Sequence, residues 1–292
     1  MIDDDYDDHD DATPKTIIIT GANSGIGLET AVGLARGGAH IVMACRNPDK
    51  GAAARDDVIA QSANARVELM ALDLASFASI RGFAKEALDR FEHIDVLLNN
   101  AGAVSMKRVE TADGFEQTFG VNHLGHFLLT DLLRERIVAT PDARVVVVAS
   151  DAHRFCVGGI DFDDLQSTRH YHPFGEYSRS KLANILFTRE LARRLDGTGV
   201  TANCVHPGFV ASNFGRQGPV GTVAMMLGRP FAINSERGAR TSIFLASDTS
   251  VDGITGHYWY KCAMREPNAR ARDDATAARL WAVSEELIAA RS

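Results

Sequence analysis

Short apolar runs alternate with longer amphipathic stretches along this chain, the pattern of strands that each lead into a helix. Ile17-Ile18-Ile19 is a β-branched run that reads as a buried strand, and Leu28 to Arg36 behind it reads as an amphipathic helix. The same alternation predicts further strands at His40–Arg46, Val67–Leu72, Ile94–Leu98, Arg144–Ala149 and Val200–Val205, with a last strand at His257-Tyr258-Trp259-Tyr260. Continuous apolar strands separated by helices pair in parallel, because each crossover helix covers one face of the sheet. The expected fold is therefore α/β: one doubly wound domain over residues 15–292, with a mainly parallel seven-stranded sheet flanked by helices. Neither an internal repeat nor a second domain is visible. A helix after Ala275, through Leu280, Trp281 and Leu287, reads as a surface or oligomer element.

Composition narrows the class. A chain of 292 residues with 45% apolar content is long enough to bury one large core. No stretch approaches the roughly 20 apolar residues that span a bilayer. The first residues are acidic, unlike the basic-then-apolar start of a secretion signal. Residues 1–14 carry seven aspartates and read as an acidic disordered tail. These aspartates lack a calcium-loop pattern, and no metal is expected. A net charge of −7 argues against nonspecific nucleic-acid binding. The four cysteines, Cys45, Cys156, Cys204 and Cys262, show no ligand spacing. They are expected to be reduced thiols in a cytoplasmic protein.

The first candidate for chemistry is the turn after the opening strand, Thr20-Gly21-Ala22-Asn23-Ser24-Gly25-Ile26-Gly27. A Gly-rich turn between strand and helix lets the backbone approach a pyrophosphate at the helix N-terminus, the Rossmann-like arrangement. The spacing is Gly-x-x-x-Gly-x-Gly rather than the usual Gly-x-Gly-x-x-Gly. Sites specific for NAD commonly end the second strand on a carboxylate that binds the ribose diol. Here Cys45 and Arg46 stand there, followed by Asn47, and the next carboxylate is Asp49. The planar fork of Arg46 suits a 2′-phosphate, so NADP(H) is expected to be preferred, with NAD(H) as the alternative. Asp73, followed by Leu74, ends the third strand within reach of an adenine, or else caps the next helix near Ser76. Asn99-Asn100-Ala101-Gly102 follows the fourth strand; its small residues can lie against a ribose, or its asparagines can tie strands together. Ser150 sits at the carboxyl end of the fifth strand, the edge where open parallel sheets bind ligands.

The most telling pair is Tyr177 and Lys181. Positions i and i+4 share a helix face. A cation beside a phenol favours the phenolate and turns tyrosine into an acid–base group for carbonyl reduction or alcohol oxidation.

These motifs together resemble the short-chain dehydrogenase/reductase family, from about Lys15 to the early 260s. The resemblance rests on Thr20-Gly21-x-x-x-Gly25-x-Gly27, Asp73-Leu74, Asn99 to Gly102, Asn122, Ser150, Tyr177-x-x-x-Lys181 and Pro207-Gly208. Cys45-Arg46-Asn47, Asp113-Gly114-Phe115-Glu116, Val121 to Thr130, Ser180 to Asn184, and Leu280 to Ser284 are similar to its retinol-dehydrogenase-like branch. The resemblance implies direct hydride transfer on the B face of a nicotinamide. Tyr177 would be the acid/base, and Lys181 would lower its pKa and bind the nicotinamide ribose. Ser150 would hold the carbonyl, and Asn122 would complete a proton path by holding a water near Lys181. It also implies cofactor contacts from Gly21, Asn23, Ser24, Gly25, Ile26, Gly27, Asn100, Ala101 and Gly102, and, on the nicotinamide side, from Pro207, Gly208, Val210 and Ser212. Ser212 replaces a threonine common in the family, a mild departure because either hydroxyl can bond the carboxamide. Members of the branch are often membrane-bound, and no anchor is read in this chain. A homodimer or homotetramer is expected only by analogy.

The largest departure is length. From Ser150 to Tyr177 is 27 positions, and the insert carries Phe155, Asp161, Phe162, Asp163, Asp164, His170, Tyr171 and His172. It is expected to cover one side of the substrate site. The apolar, Met-rich and Gly-rich stretch 209–233 reads as a lid over a lipophilic aldehyde, ketone or alcohol. His123, His126, His153 and His206 read as structural groups. Two other functions compete: an isomerase or dehydratase, which lacks its usual Gly-x-x-Gly-x-x-Gly loop here, and a non-catalytic NADP(H) sensor or scaffold. A sensor does not need Asn122, Ser150, Tyr177 and Lys181 together.

Overall fold

A computed structural model describes residues 14–209 and 234–291. The acidic tail through residue 13, Val210, Ser212 and all of the proposed lid except Phe209 lie outside the described residues. Strands β1 (Thr16–Thr20), β2 (His40–Cys45), β3 (Val67–Ala71), β4 (Val96–Asn99), β5 (Arg144–Val148), β6 (Thr201–Val205), β7 (Tyr258–Tyr260) and β8 (Ala263–Met264) form one sheet in the order 3-2-1-4-5-6-7-8. The first seven pair in parallel throughout. The order reverses between β1 and β4, and a crevice opens there at the carboxyl edge.

The seven parallel strands match the sequence expectation. The eighth, absent from it, pairs antiparallel with β7 through a two-residue turn. Lys261 and Cys262 in that turn both take left-handed φ, 53° and 57°. Tight hairpins of this hand usually advertise themselves with Asn-Gly or Asp-Gly. Lys-Cys gives no such signal.

Helices cover both faces. Helices α1 (Gly25–Arg36), α2 (Pro48–Ser62) and α7 (Ser235–Ser247) pack on one side, over a core that includes Ile17, Ile19, Met43, Leu98 and Trp259. Helices α3 (Phe77–Arg90), α5 (Gly125–Ala139), α6 (Pro173–Arg194) and α8 (Asp274–Ala289) cover the other, over Ile18, Leu97, Phe127, Leu186 and Trp281. Strand residues alternate between the two cores, as a pleat buried on both faces requires.

Helix α8, expected as a surface or oligomer element, buries one face and leaves the other exposed. Leu280 and Trp281 are buried, and the indole packs on Phe127 at 4.7 Å and Phe187 at 5.8 Å. Arg194 lies over its outer face at 4.4 Å. The aromatic payload closes the core over α5 and α6.

Candidate active site

Seven parallel strands deliver their carboxyl ends to one edge. After β1 the chain turns through Gly21 and Gly25, at φ 66° and 57°. Ser24 is the N-cap of α1 but makes no side-chain cap, and the first turn holds no carboxylate. The start of α1 therefore presents its backbone donors and its positive dipole end to an anion. Gly27 permits this closeness: a Cβ there would stand 2.5 Å from both Asn100 Nδ2 and Gly21 O. Asn23, Ser24 and Ile26 complete the loop. Beneath it, Cys45 bonds the backbone of Ala22 and Asn23, and burial pushes its thiol up to about 11.

Arg46 is exposed just past β2, with no carboxylate partner among the described residues. Asn47 is engaged elsewhere. Its side-chain oxygen accepts from Lys50 N at 2.8 Å and caps α2 ahead of Pro48. Asp73 does not cap α3: Ser76 does, and Asp113 accepts from Phe77 N at 2.8 Å. Asp73 instead forms a tight turn, accepting from Ala75 N at 3.0 Å while its own N–H donates to Ser79 Oγ. Leu74 is buried, and its carbonyl rests on Gly125, where a Cβ would approach to 2.6 Å.

The Asn99 to Gly102 turn is a clasp. Asn100 Nδ2 donates to Thr20 O at 2.8 Å, and the N–H groups of Asn100 and Ala101 both donate to Thr20 Oγ1 at 2.9 Å. Asn99 Nδ2 donates to Thr130 Oγ1 at 2.9 Å. The strand-tying alternative thus describes Asn100, whereas Asn99 ties β4 to helix α5. Ala101 and Gly102 remain at the crevice surface.

The catalytic candidates meet at the ends of β5 and α6. The Tyr177 hydroxyl bonds Ser150, and burial pushes the phenol up to about 12. Ser150 also caps the short turn Asp151–Phe155, accepting from Ala152 N at 3.1 Å. One helical turn past Tyr177, Lys181 Nζ donates to Val148 O at 2.8 Å and lies 5.7 Å from the centroid of the Tyr177 ring. Burial lowers its ammonium to about 8. The expected depression of the Tyr177 pKa by Lys181 is thus not realised in this arrangement, where desolvation of the phenol outweighs everything else.

Asn122 lies in a π-turn, Gly120–Leu124, between a single helical turn, α4 (Gln117–Phe119), and α5. Such turns often mark functional positions. Its side chain does not point at Lys181. Asn122 Oδ1 accepts from Ala103 N at 2.7 Å, and Nδ2 donates to Ala103 O and to Ser180 Oγ. Ser180 Oγ in turn donates to Tyr177 O at 2.8 Å. Through its side chain Asn122 therefore braces α6.

On the nicotinamide side, Pro207 leads into Gly208 at φ 92°. Gly208 N donates to His206 Nδ1, and the imidazole stacks on Tyr260 at 5.0 Å. Burial lowers His206 to about 4 despite Asp151 nearby.

The insert is mostly a brace. Arg179, between the two signature residues of α6, is buried and donates to Asp164 O, Leu165 O and Ser167 Oγ, and pairs with Glu176. Phe162 turns away under Arg279, 4.0 Å from its guanidinium carbon. Phe155 is exposed. It pairs at 5.5 Å with Phe174, which precedes Tyr177 by one turn of α6. Residues not singled out for the site prove necessary to it. Glu116, fully buried, accepts from Thr118 N and Phe119 N and so starts the Asn122 segment. His126, four residues past Asn122, bonds its carbonyl; the i, i+4 spacing was the only signal for it.

This sheet order is that of a doubly wound, nucleotide-binding type of α/β fold. Residues 15–161 match the family model described as short chain dehydrogenase. Retinol dehydrogenase 12 of Mus musculus is 46% identical over 94% of this chain and 86% of its own length. Retinol dehydrogenase 14 of Homo sapiens is 43% identical over 94% and 86%. A Mycobacterium Paratuberculosis crystal structure, of a protein described as uncharacterized, is 38% identical with a TM-score of 0.73, covering 94% of this chain and 95% of that one. The chain belongs to the short-chain dehydrogenase/reductase family. Within it the chain is retinol-dehydrogenase-like, an oxidoreductase acting on alcohol donors with NAD(P) as acceptor.

Proposed function

We propose that this enzyme is an NADP(H)-dependent reductase of lipophilic carbonyls, with Tyr177 as its acid/base. The observation that carries the reading is the Tyr177–Ser150 hydrogen bond beside buried Lys181, at the crevice edge of the sheet. A bound nicotinamide nucleotide supplies the hydride in reduction or takes it in oxidation. The glycines, the bare start of α1 and the Asn100–Ala101 turn suit its pyrophosphate and ribose. Tyr177 donates its proton to the substrate oxygen as charge develops there, and Ser150 donates a hydrogen bond to the same oxygen. Desolvation keeps the phenol protonated, so the group is charged with its proton before a carbonyl arrives. Lys181 supplies a positive charge close enough to favour loss of that proton once the site is filled.

Arg46 supports NADP(H): it is exposed at the end of β2, where a 2′-phosphate would need a cation and a diol would need a carboxylate. Phe155 and Phe174, 65% and 48% exposed, support an apolar substrate, since paired open aromatics beside acid–base groups mark a binding mouth. A cytoplasmic location fits four unbridged cysteines and the lack of any helix, among the described residues, long and apolar enough to cross a membrane. The test is a titration of the protein with NADPH and with NADH. Tighter NADPH binding, lost in Arg46→Asp, is expected. Equal or tighter NADH binding would remove the role of Arg46 and favour alcohol oxidation.

A further inference from the structure

His126 is almost wholly buried. Its ring nitrogens are both engaged. Nδ1 lies 3.1 Å from the carbonyl oxygen of Asn122, and Nε2 lies 3.0 Å from Thr20 Oγ1. A carbonyl can only accept, so the Nδ1 proton is required and Nε2 of the neutral ring is an acceptor. The Thr20 hydroxyl must then donate to Nε2, leaving its lone pairs to the N–H groups of Asn100 and Ala101, each at 2.9 Å. Leu98 O lies farther, 3.4 Å from Thr20 Oγ1, so Nε2 at 3.0 Å is the nearer acceptor in this hydrogen-bond chain. The chain continues beyond Asn122, whose Nδ2 donates to Ser180 Oγ at 3.0 Å, which donates to Tyr177 O at 2.8 Å.

We propose that His126 is a positioning residue whose two ring nitrogens join the cofactor turn at Thr20, Asn100 and Ala101 to the backbone of Asn122, and through it to the turn of α6 that carries Tyr177. One imidazole then holds the cofactor turn through Nε2 and the segment before the acid/base through Nδ1. A second proton on the ring would set Nε2–H against a Thr20 oxygen already accepting two bonds. Burial opposes that state, lowering His126 to about 4. The competing description is a histidine that fills space and satisfies its neighbours without coupling them.

The inference rests on the active-site reading above, and the test separates the two. Asparagine places an amide nitrogen near the Nδ1 position, so His126→Asn keeps the bond to Asn122 and loses that to Thr20. Glutamine places an amide oxygen near Nε2, so His126→Gln keeps Thr20 and loses Asn122. Kd for NADPH, and kcat at saturating NADPH with whichever of hexanal, decanal or retinaldehyde the parent reduces fastest, are measured for parent and both variants. One lost hydrogen bond corresponds to about a tenfold effect. His126→Asn is expected to weaken NADPH about tenfold with kcat nearly kept, and His126→Gln to lower kcat about tenfold with Kd nearly kept. Variants that lose thermal stability alone, or that shift Kd and kcat alike, overturn this two-sided positioning role. A parent that binds NADPH but reduces none of the three overturns the carbonyl-reduction reading instead, and His126 is then judged on whether Kd separates the two variants.

Discussion

At Gly27 a single added carbon has nowhere to go. Its two nearest neighbours, Asn100 Nδ2 and Gly21 O, belong to the two turns proposed to meet the nucleotide. Overpacking of this kind costs about 1–3 kcal/mol when the neighbours must shift. Gly27→Ala is expected to lower the melting temperature and weaken NADPH binding by more than about tenfold, both readable in one thermal-shift titration. Tight NADPH binding by Gly27→Ala would show that the two turns do not act together. Residues with local signatures were legible in the sequence: the glycines by their spacing, Tyr177 and Lys181 by sharing a helix face, Ser150 by ending a strand. Asn47 and Asn122 were legible as positions but not in what their side chains do, because those partners, Lys50 N, Ala103 and Ser180, are settled by packing. His126 needs Thr20, over a hundred positions away, before its two bonds have meaning.

Among the elements, helix α8 shows what a local pattern leaves out. Amphipathic and carboxyl-terminal, it reads as a surface feature, yet Trp281 sits in a cluster with Phe127 and Phe187 and ties α8 to both catalytic helices. His123 adds a bond of 2.8 Å between Nε2 and Ser284 Oγ. Removing a buried aromatic ring typically costs about 3–5 kcal/mol. Trp281→Ala is therefore expected to destabilise the fold by about that amount in urea unfolding. A loss under about 1 kcal/mol would make α8 a surface element alone. The seven parallel strands were legible because each is a buried β-branched run bounded by a turn. The eighth was not, since two residues carry no periodicity and Lys261-Cys262 carries no turn chemistry. The insert was legible as an insertion, but its attachment to Arg179 was not, because backbone carbonyls such as those of Asp164 and Leu165 have no sequence signature.

At the scale of the whole molecule, four buried histidines among the described residues, His123, His126, His153 and His206, are all lowered by burial. Burial lowers His123 to about 3 and His126 and His206 to about 4, whereas the unfolded chain takes up protons near pH 6.5. Between these limits the unfolded state binds more protons, so stability falls as pH falls. Each such histidine contributes a loss of up to about 2 kcal/mol between pH 6.5 and pH 5. Urea unfolding at pH 7.5, 6 and 5 is expected to show this decline, with a shallower slope in His123→Gln, which retains a donor for Ser284. An unchanged slope would mean that His123 is protonated in the folded protein. The sheet, the two cores and the crevice edge all converge on one hydroxyl, and its function is the central claim. The most direct measurement is turnover and NADPH affinity of Tyr177→Phe beside the parent, using the best carbonyl substrate. The account predicts turnover lower by about 10²–10⁴-fold with Kd for NADPH nearly unchanged. Turnover close to that of the parent would contradict it and return the crevice to a nucleotide-binding role with a different acid, or none.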